Sequence, residues 1–448
     1  MNKSAVAMAA DSAVTISAGR QGVKTFDTVN KLFELVKGRP IGFMVYANAE
    51  LNGMPWETII KAFRDEHRGL NLPYLEDYVD KFYDYLRKNS ELISKDSETR
   101  LVIDSSYNAL IRVFSYVRER QDTCVSRAGR PVMTRIRALI DEAIADCEAV
   151  LQQAEDAPWG ASIDAERIRS QYGTPINLLV EELFANYKLS RATRERLAEL
   201  AISYLLKLIS DPGHSGVVFA GFGERDYFPK MYSSNVRGFL DGRPLQHGDF
   251  TVEIQRNYPG HLHTFAQDEE AKAYLSGITA NVRDQIIGYW SNWVLQSELE
   301  ISSILDQFSK LKEEEKDQIA KAFFDYSHGK VHEFLQHMQD HQDSEYLNPI
   351  WESISFLPKD ELAVLAESLV NLTSLKQRVS IRNLQTVGGA IDVALISRGD
   401  GFVWLKRKHY FSSELNPSWH LTHRGTIAEK EESRLDARKR MPRQTVTK

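Results

Sequence analysis

Apolar positions alternate at the front of the chain. Val6 and Met8 fall on one face of an extended segment and Ala5, Ala7 and Ala9 on the other, the period of two that marks a strand. The alanine face is small and requires close packing by a neighbour, and the strand ends on Asp11 and Ser12, an acid and a hydroxyl. After a polar turn, a second strand runs over Thr28–Leu35 with Lys31 just before Leu32 and Phe33. A third follows over Pro40–Ala49, with Gly42 in it. The period then changes. Trp56, Ile59, Ile60 and Phe63 stand at i, i+3, i+4 and i+7, one apolar stripe of a helix. Tyr74–Arg87, Tyr107–Val117, Val132–Leu151 and Pro175–Ile209 also read as helices, separated by polar or Gly/Pro breaks.

Strand character returns over Ser215–Glu224. Val236–Leu240 and Phe250–Ile254 continue it as antiparallel strands around an Asp241-Gly242 turn. Gly221-Phe222-Gly223 lacks the third glycine and the following helix of a dinucleotide loop. From Asp268 to Leu375 the pattern is helical and strongly charged, with Leu311–Asp317 as a solvated boundary. Ile391, Val393 and Leu395 then alternate with Asp392, Ala394 and Ile396, and Gly399-Asp400-Gly401 turns into Phe402–Leu405 as a closing hairpin. After Tyr410 the chain is polar, and residues 424–448 read as a basic, disordered tail.

Length and charge narrow the functional classes. The 448 residues permit a sizeable core, and one large domain over residues 1–423 is expected. A net charge of −6 supplies no basic field, so nucleic acid is not the expected partner. Two cysteines, Cys124 and Cys147, argue against a disulfide framework and point to a reducing, cytoplasmic compartment. The small apolar run behind Lys3 is too short for the core of a signal peptide, and no run reaches the ~18 apolar residues of a membrane span.

The candidate chemistry lies in the first three strands. Asp11 and Lys31 on neighbouring strands can form a buried pair, which reads either as a structural salt bridge or as a lysine tuned for proton transfer. The segment Val6-Ala7-Met8-Ala9-Ala10-Asp11-Ser12, followed by Thr28-Val29-x-Lys31 and by Gly42-Phe43-Met44-Val45-x-x-Asn48-Ala49, resembles the start of a proteasome-type β subunit, an N-terminal-nucleophile (Ntn) hydrolase. Residues around 215–255 and 380–410 resemble later strand pairs of that family.

The resemblance implies an α/β (α+β) fold, a sandwich of two antiparallel sheets between helical layers, with large helical insertions near 70–210 and 268–375. It implies that Asp11 and Lys31 stand beside an N-terminal nucleophile, and that the backbone N–H of Tyr46 takes the place of an oxyanion donor. Ser12, Gly388 and Gly389 would support that site; the two glycines match a Ser-Gly-Gly loop in which Val387 replaces the serine and Asn383 stands one residue out of register with the family's acid. Counted back from Asp11, the nucleophile's position falls upstream of Met1. Ser4 does not replace it, because an internal serine has no free α-amine to act as its base.

Two functions follow as expectations. One is a peptidase or amidohydrolase acting on a peptide or amide substrate; the other is a non-catalytic relative serving as an assembly or binding module. A homo-oligomer is expected with either, and no cofactor or metal. His328 and His332, and His337 and His341, are i, i+4 pairs, the spacing that sets two imidazoles on one side of a helix. From His332 to His337 the interval is five, which turns a helix about 140° and breaks the zincin spacing, so these read as surface histidines. His261-x-His263 is a weaker feature still.

Overall fold

The alternation at the front of the chain becomes strand β1 (Ala5–Ala10) in the computed structural model, which describes residues 1–17, 23–26, 28–89, 92–124, 132–209, 213–266, 269–308, 310–379 and 388–409. Strands β2 (Val14–Ser17) and β3 (Val23–Phe26) form a hairpin where only a polar turn was expected. They are followed by β4 (Leu32–Glu34) and β5 (Ile41–Ala47), then by the two-residue strands β6 (Glu50–Leu51) and β7 (Met54–Pro55). Helices α1 (Trp56–Glu66), α2 (Leu75–Lys88), α3 (Lys95–Arg120), α4 (Met133–Gln153), α5 (Ala165–Leu183) and α6 (Arg191–Leu205) come next. Three strands return the chain to the sheet, β8 (Ser215–Gly221), β9 (Lys230–Leu240) and β10 (Arg243–Glu253). Five helices, α7 (Glu269–Ser276), α8 (Ala280–Leu305), α9 (Glu313–Gln342), α10 (Asn348–Phe356) and α11 (Lys359–Val379), precede the hairpin β11 (Asp392–Ser397) and β12 (Gly401–Lys406).

Two antiparallel sheets carry the fold. One has the order β1-β11-β12 and the other β10-β9-β8-β5-β4. The period of two decides what each face touches. Val6 and Met8 of β1 join Met44, Val218, Met231, Ala394 and Ile396 in a single apolar cluster between the sheets. The opposite faces are covered by helices. Ala5 and Leu395 pack with Ile354 of α10 and Leu362 of α11, so the alanine face of β1 is there to admit a helix. Phe43, Val45, Val217 and Phe219 pack with Trp56, Ile59, Phe63 and Phe82 of α1 and α2. Gly42 is required by the close approach of the sheets: a Cβ there would lie 2.6 Å from Ile396 Cδ1 and 2.7 Å from Met8 Sδ.

Helices α3 to α6 form their own core. Leu110, Val113, Ile140, Ile144, Ile176 and Leu197 pack together with Leu240 and Leu245 from the β9–β10 hairpin, which ties this bundle to the large sheet. That hairpin turns at Asp241 and Gly242, with φ of +54° and +69°, the left-handed pair that an Asp-Gly dipeptide supplies in a two-residue turn.

Three expected elements are corrected. The helix expected over Pro175–Ile209 is two helices: α5 starts earlier and holds Pro175 inside it, Lys188 adopts a left-handed φ of +47°, and Ser190 caps α6 by accepting from Thr193 N–H. The helix expected over Tyr107–Val117 is part of the C-terminal half of the 26-residue α3. The strand expected to reach Glu224 ends at Gly221, with φ of +143°, where an added Cβ would stand 2.0 Å from the Pro40 carbonyl oxygen. Residues Met1–Leu405 form one compact unit, and the tail over residues 424–448 lies outside the described residues. No helix among the described residues is long and apolar enough to cross a membrane.

Candidate active-site pocket

Asp11 follows directly on β1 and Lys31 directly precedes β4, so the two sheets bring the pair together. Lys31 Nζ donates to Asp11 Oδ1 at 2.6 Å, and the two side chains are 19% and 12% exposed. The other carboxylate oxygen, Oδ2, accepts from the backbone N–H of Ala13 and of Gly388, each at 3.1 Å. Three donors therefore fix one carboxylate, and two of them come from segments far away in the chain.

Ser12 completes the clamp. Its N–H donates to Gly388 O at 3.1 Å, its carbonyl accepts from Val29 N–H at 3.1 Å, and its buried hydroxyl donates to Ala390 O. Gly389 lies between these two contacts in a left-handed conformation, φ +74°. The turn after β1, the approach to β4 and the approach to β11 are thus one hydrogen-bonded unit. Val387 and Asn383 lie outside the described residues.

A cavity of about 580 Å³ opens beside the pair. Every residue from Val6 to Asp11 lines it, those of both faces of β1 included, so it runs along the edge of β1 opposite β11. Its walls are Met44 and Val218 from the large sheet, Leu369 and Val370 from α11, and Phe265 from the segment after β10. An apolar chamber with one ion pair in its wall suits a ligand that is mostly apolar with a polar link.

Tyr46 stands in the same wall. Its ring lies over Gly216 on the neighbouring strand β8, its hydroxyl donates to Asn235 Oδ1 on β9 at 3.1 Å, and Phe265 stacks on it with ring centroids 5.1 Å apart. The amide of Tyr46 is directed differently. Val45 N–H donates to Lys31 O on the β4 side, and Asn48 N–H donates to His214 O on the β8 side. Alternation along the strand therefore aims the Tyr46 N–H at β8, opposite Gly216. An oxyanion role for this amide requires β5 and β8 to part at that pair.

The segment after β10 forms a wall that sequence reasoning missed. Gly260 bridges to Asn2, His261 N–H donates to Met1 O at 2.8 Å, and the Met1 nitrogen donates to His261 O at 2.6 Å. His261, His263 and Phe265 follow one another at every second residue and make successive ring contacts. That period of two was the available signal. His261 Nδ1 hydrogen-bonds the Tyr258 hydroxyl at 2.7 Å, while its Nε2 is buried without a partner. Burial, with the nearby amino terminus and His263, lowers its pKa to about 4, so the imidazole is neutral at physiological pH.

The structure thus brings together Asp11, Lys31, Ser12, Gly388, Gly389 and Tyr46. His328, His332, His337 and His341 are elsewhere, exposed along α9, and Glu333 beside them pairs with Lys330 at 2.7 Å. Among the described residues no group of three His, Cys, Asp or Glu side chains is placed to hold a metal ion. Searches against family models, curated proteins and solved structures return no match to this chain.

Proposed function

We propose that the protein is an Ntn-type sandwich whose cavity takes a peptide or amide, with Asp11 and Lys31 as the polar pair of an amide-hydrolysing site. The observation that carries this reading is the Asp11–Lys31 contact of 2.6 Å in the wall of an apolar cavity, held by the backbone N–H of neighbouring Ala13 and of the distant Gly388. In that reading Lys31 supplies positive charge and a proton beside the reacting amide, Asp11 fixes its position, and a nucleophile at a free amino terminus attacks the carbonyl. The stacking of two antiparallel sheets between helices supports the fold half of the proposal. A cytoplasmic location belongs to the same reading and is supported by the free thiols Cys124 and Cys147.

A second reading, a non-catalytic binding or assembly module, is favoured by two observations. The Ser12 hydroxyl is committed to Ala390 O, and the Tyr46 amide is directed into the sheet. One experiment separates the two. A panel of fluorogenic peptides and simple amides is incubated with the protein and with Lys31→Ala. Turnover lost in the variant at unchanged fold supports the hydrolase. Peptide binding without turnover supports the module, and turnover unchanged by Lys31→Ala overturns the assignment of the site.

A further inference from the structure

Helices α8 and α9, of 26 and 30 residues, make their extensive contacts with one another and bury very little. On α8 only Val294 and Leu305 are buried, and on α9 only Ala320, Ser327 and Val331. The side of α8 toward α9 follows Ile287, Trp290, Val294, Ile301 and Leu305. A second apolar stripe runs beside it and faces away. Val282, Ile286, Tyr289 and Trp293 are spaced by four, three and four residues, and Ile304 continues the line eleven residues on, the spacing of a helix-packing seam. Tyr289 is 69% exposed, Trp293 40% and Ile304 48%. Tyr289, Trp290, Trp293 and Phe334 form a chain of ring contacts at the middle of the hairpin. Trp and Tyr at the centre of an exposed apolar strip are the composition of an interface hot spot.

Charge identifies what covers it. From Gln285 to Ser297 α8 has no charged residue, so an acidic or basic partner finds no counter-charge there. A neutral apolar stripe is complementary to a copy of itself. Its one charge is Glu300, and this fixes the direction. Parallel pairing would set the two Glu300 carboxylates face to face; antiparallel pairing centred on Trp293 separates them by about 21 Å at 1.5 Å per residue. The stripe from Val282 to Ile304 is about 33 Å long, and a seam of that length about 10 Å wide covers about 330 Å² on each copy, the size of a weak, concentration-dependent dimer.

We propose that the α8–α9 hairpin is a dimerisation arm, in which α8 packs antiparallel on α8 of a second copy along Val282, Ile286, Tyr289, Trp293 and Ile304. The proposal does not depend on the chemistry of the pocket. The test is sedimentation velocity on the full chain from about 1 to 100 µM, a range that brackets a micromolar dissociation constant. The expected result is a monomer–dimer equilibrium that Tyr289→Lys weakens at least about tenfold. Leu295→Lys is the matched control: it places the same charge on an exposed leucine about 160° round the helix from Trp293 and leaves the equilibrium within about twofold. Circular dichroism verifies that both variants keep their helices. A second measurement needs no variant, because burial of Trp293 at the seam shifts tryptophan emission to the blue as the dimer forms. A monomer across the whole range, or variants that act alike, or a larger effect of Leu295→Lys, overturns the proposal.

Discussion

The ring of Tyr46 lies across Gly216, so close that a Cβ added to the glycine would stand 1.8 Å from it. The two residues face each other on β5 and β8, and the missing side chain on one lets the other reach Asn235 on β9. Gly216→Ala must therefore displace the tyrosine, its hydrogen bond and its stacking on Phe265 together. The expected loss is about 2–3 kcal/mol of stability, whereas Tyr46→Phe, which loses only the hydroxyl contact, costs about 1 kcal/mol. Denaturant unfolding of both variants checks the order; equal losses would mean that the glycine is not there for the ring.

Lys31 and Asp11 differ in what their removal leaves behind. Lys31→Ala leaves a carboxylate still held by Ala13 N–H and Gly388 N–H, whereas Asp11→Ala leaves a half-buried ammonium and two unpaired amides. Asp11→Ala is expected to be the more destabilising, by about 1–2 kcal/mol over Lys31→Ala, because an uncompensated charge and unmade backbone bonds add. Chemical denaturation of the two single variants gives the comparison directly. A larger loss for Lys31→Ala would show that the lysine, not the carboxylate, organises the turn.

How much of this was legible in the sequence depends on how far apart the contacting residues are. The strands β1 and β11 announce themselves by alternation and β5 and β8 by short apolar runs, and Asp11 and Lys31 are found because one closes β1 and the other opens onto Leu32 and Phe33 of β4. The break between α5 and α6 was hidden, since Lys188 in a left-handed conformation carries no glycine to mark it. The pocket wall formed by His261, His263 and Phe265 was hidden for a different reason. It is set by the bridge from Asn2 to Gly260 across more than half of the chain, which no local pattern encodes.

Ser12 is a second test of the clamp. Its hydroxyl is buried and donates to Ala390 O, and its backbone is bonded to Gly388 and Val29. Ser12→Ala removes only the hydroxyl and leaves the carbonyl of Ala390 without that donor, an expected loss of about 1–2 kcal/mol. Hydrogen exchange gives the sharper readout. Protection of the Gly388 amide, which donates to Asp11, is expected to fall in Ser12→Ala together with that of Ser12 itself; unchanged protection at Gly388 would show that the two contacts are independent.

His261 makes stability depend on acid. Its folded pKa is lowered to about 4 from an ordinary 6.5, by burial first and then by the amino terminus and His263. The unfolded chain therefore takes up a proton through the interval that the folded chain does not, and stability falls as pH drops from about 6.5 toward about 4. His247, lowered by burial and by His214, adds to the same slope. His261→Asn cannot titrate, so its unfolding free energy is expected to decline less over that interval than that of the parent protein. Thermal or denaturant unfolding at several pH values compares the two slopes. Parallel slopes would place the acid sensitivity elsewhere and mean that His261 accepts its proton as readily in the fold as outside it.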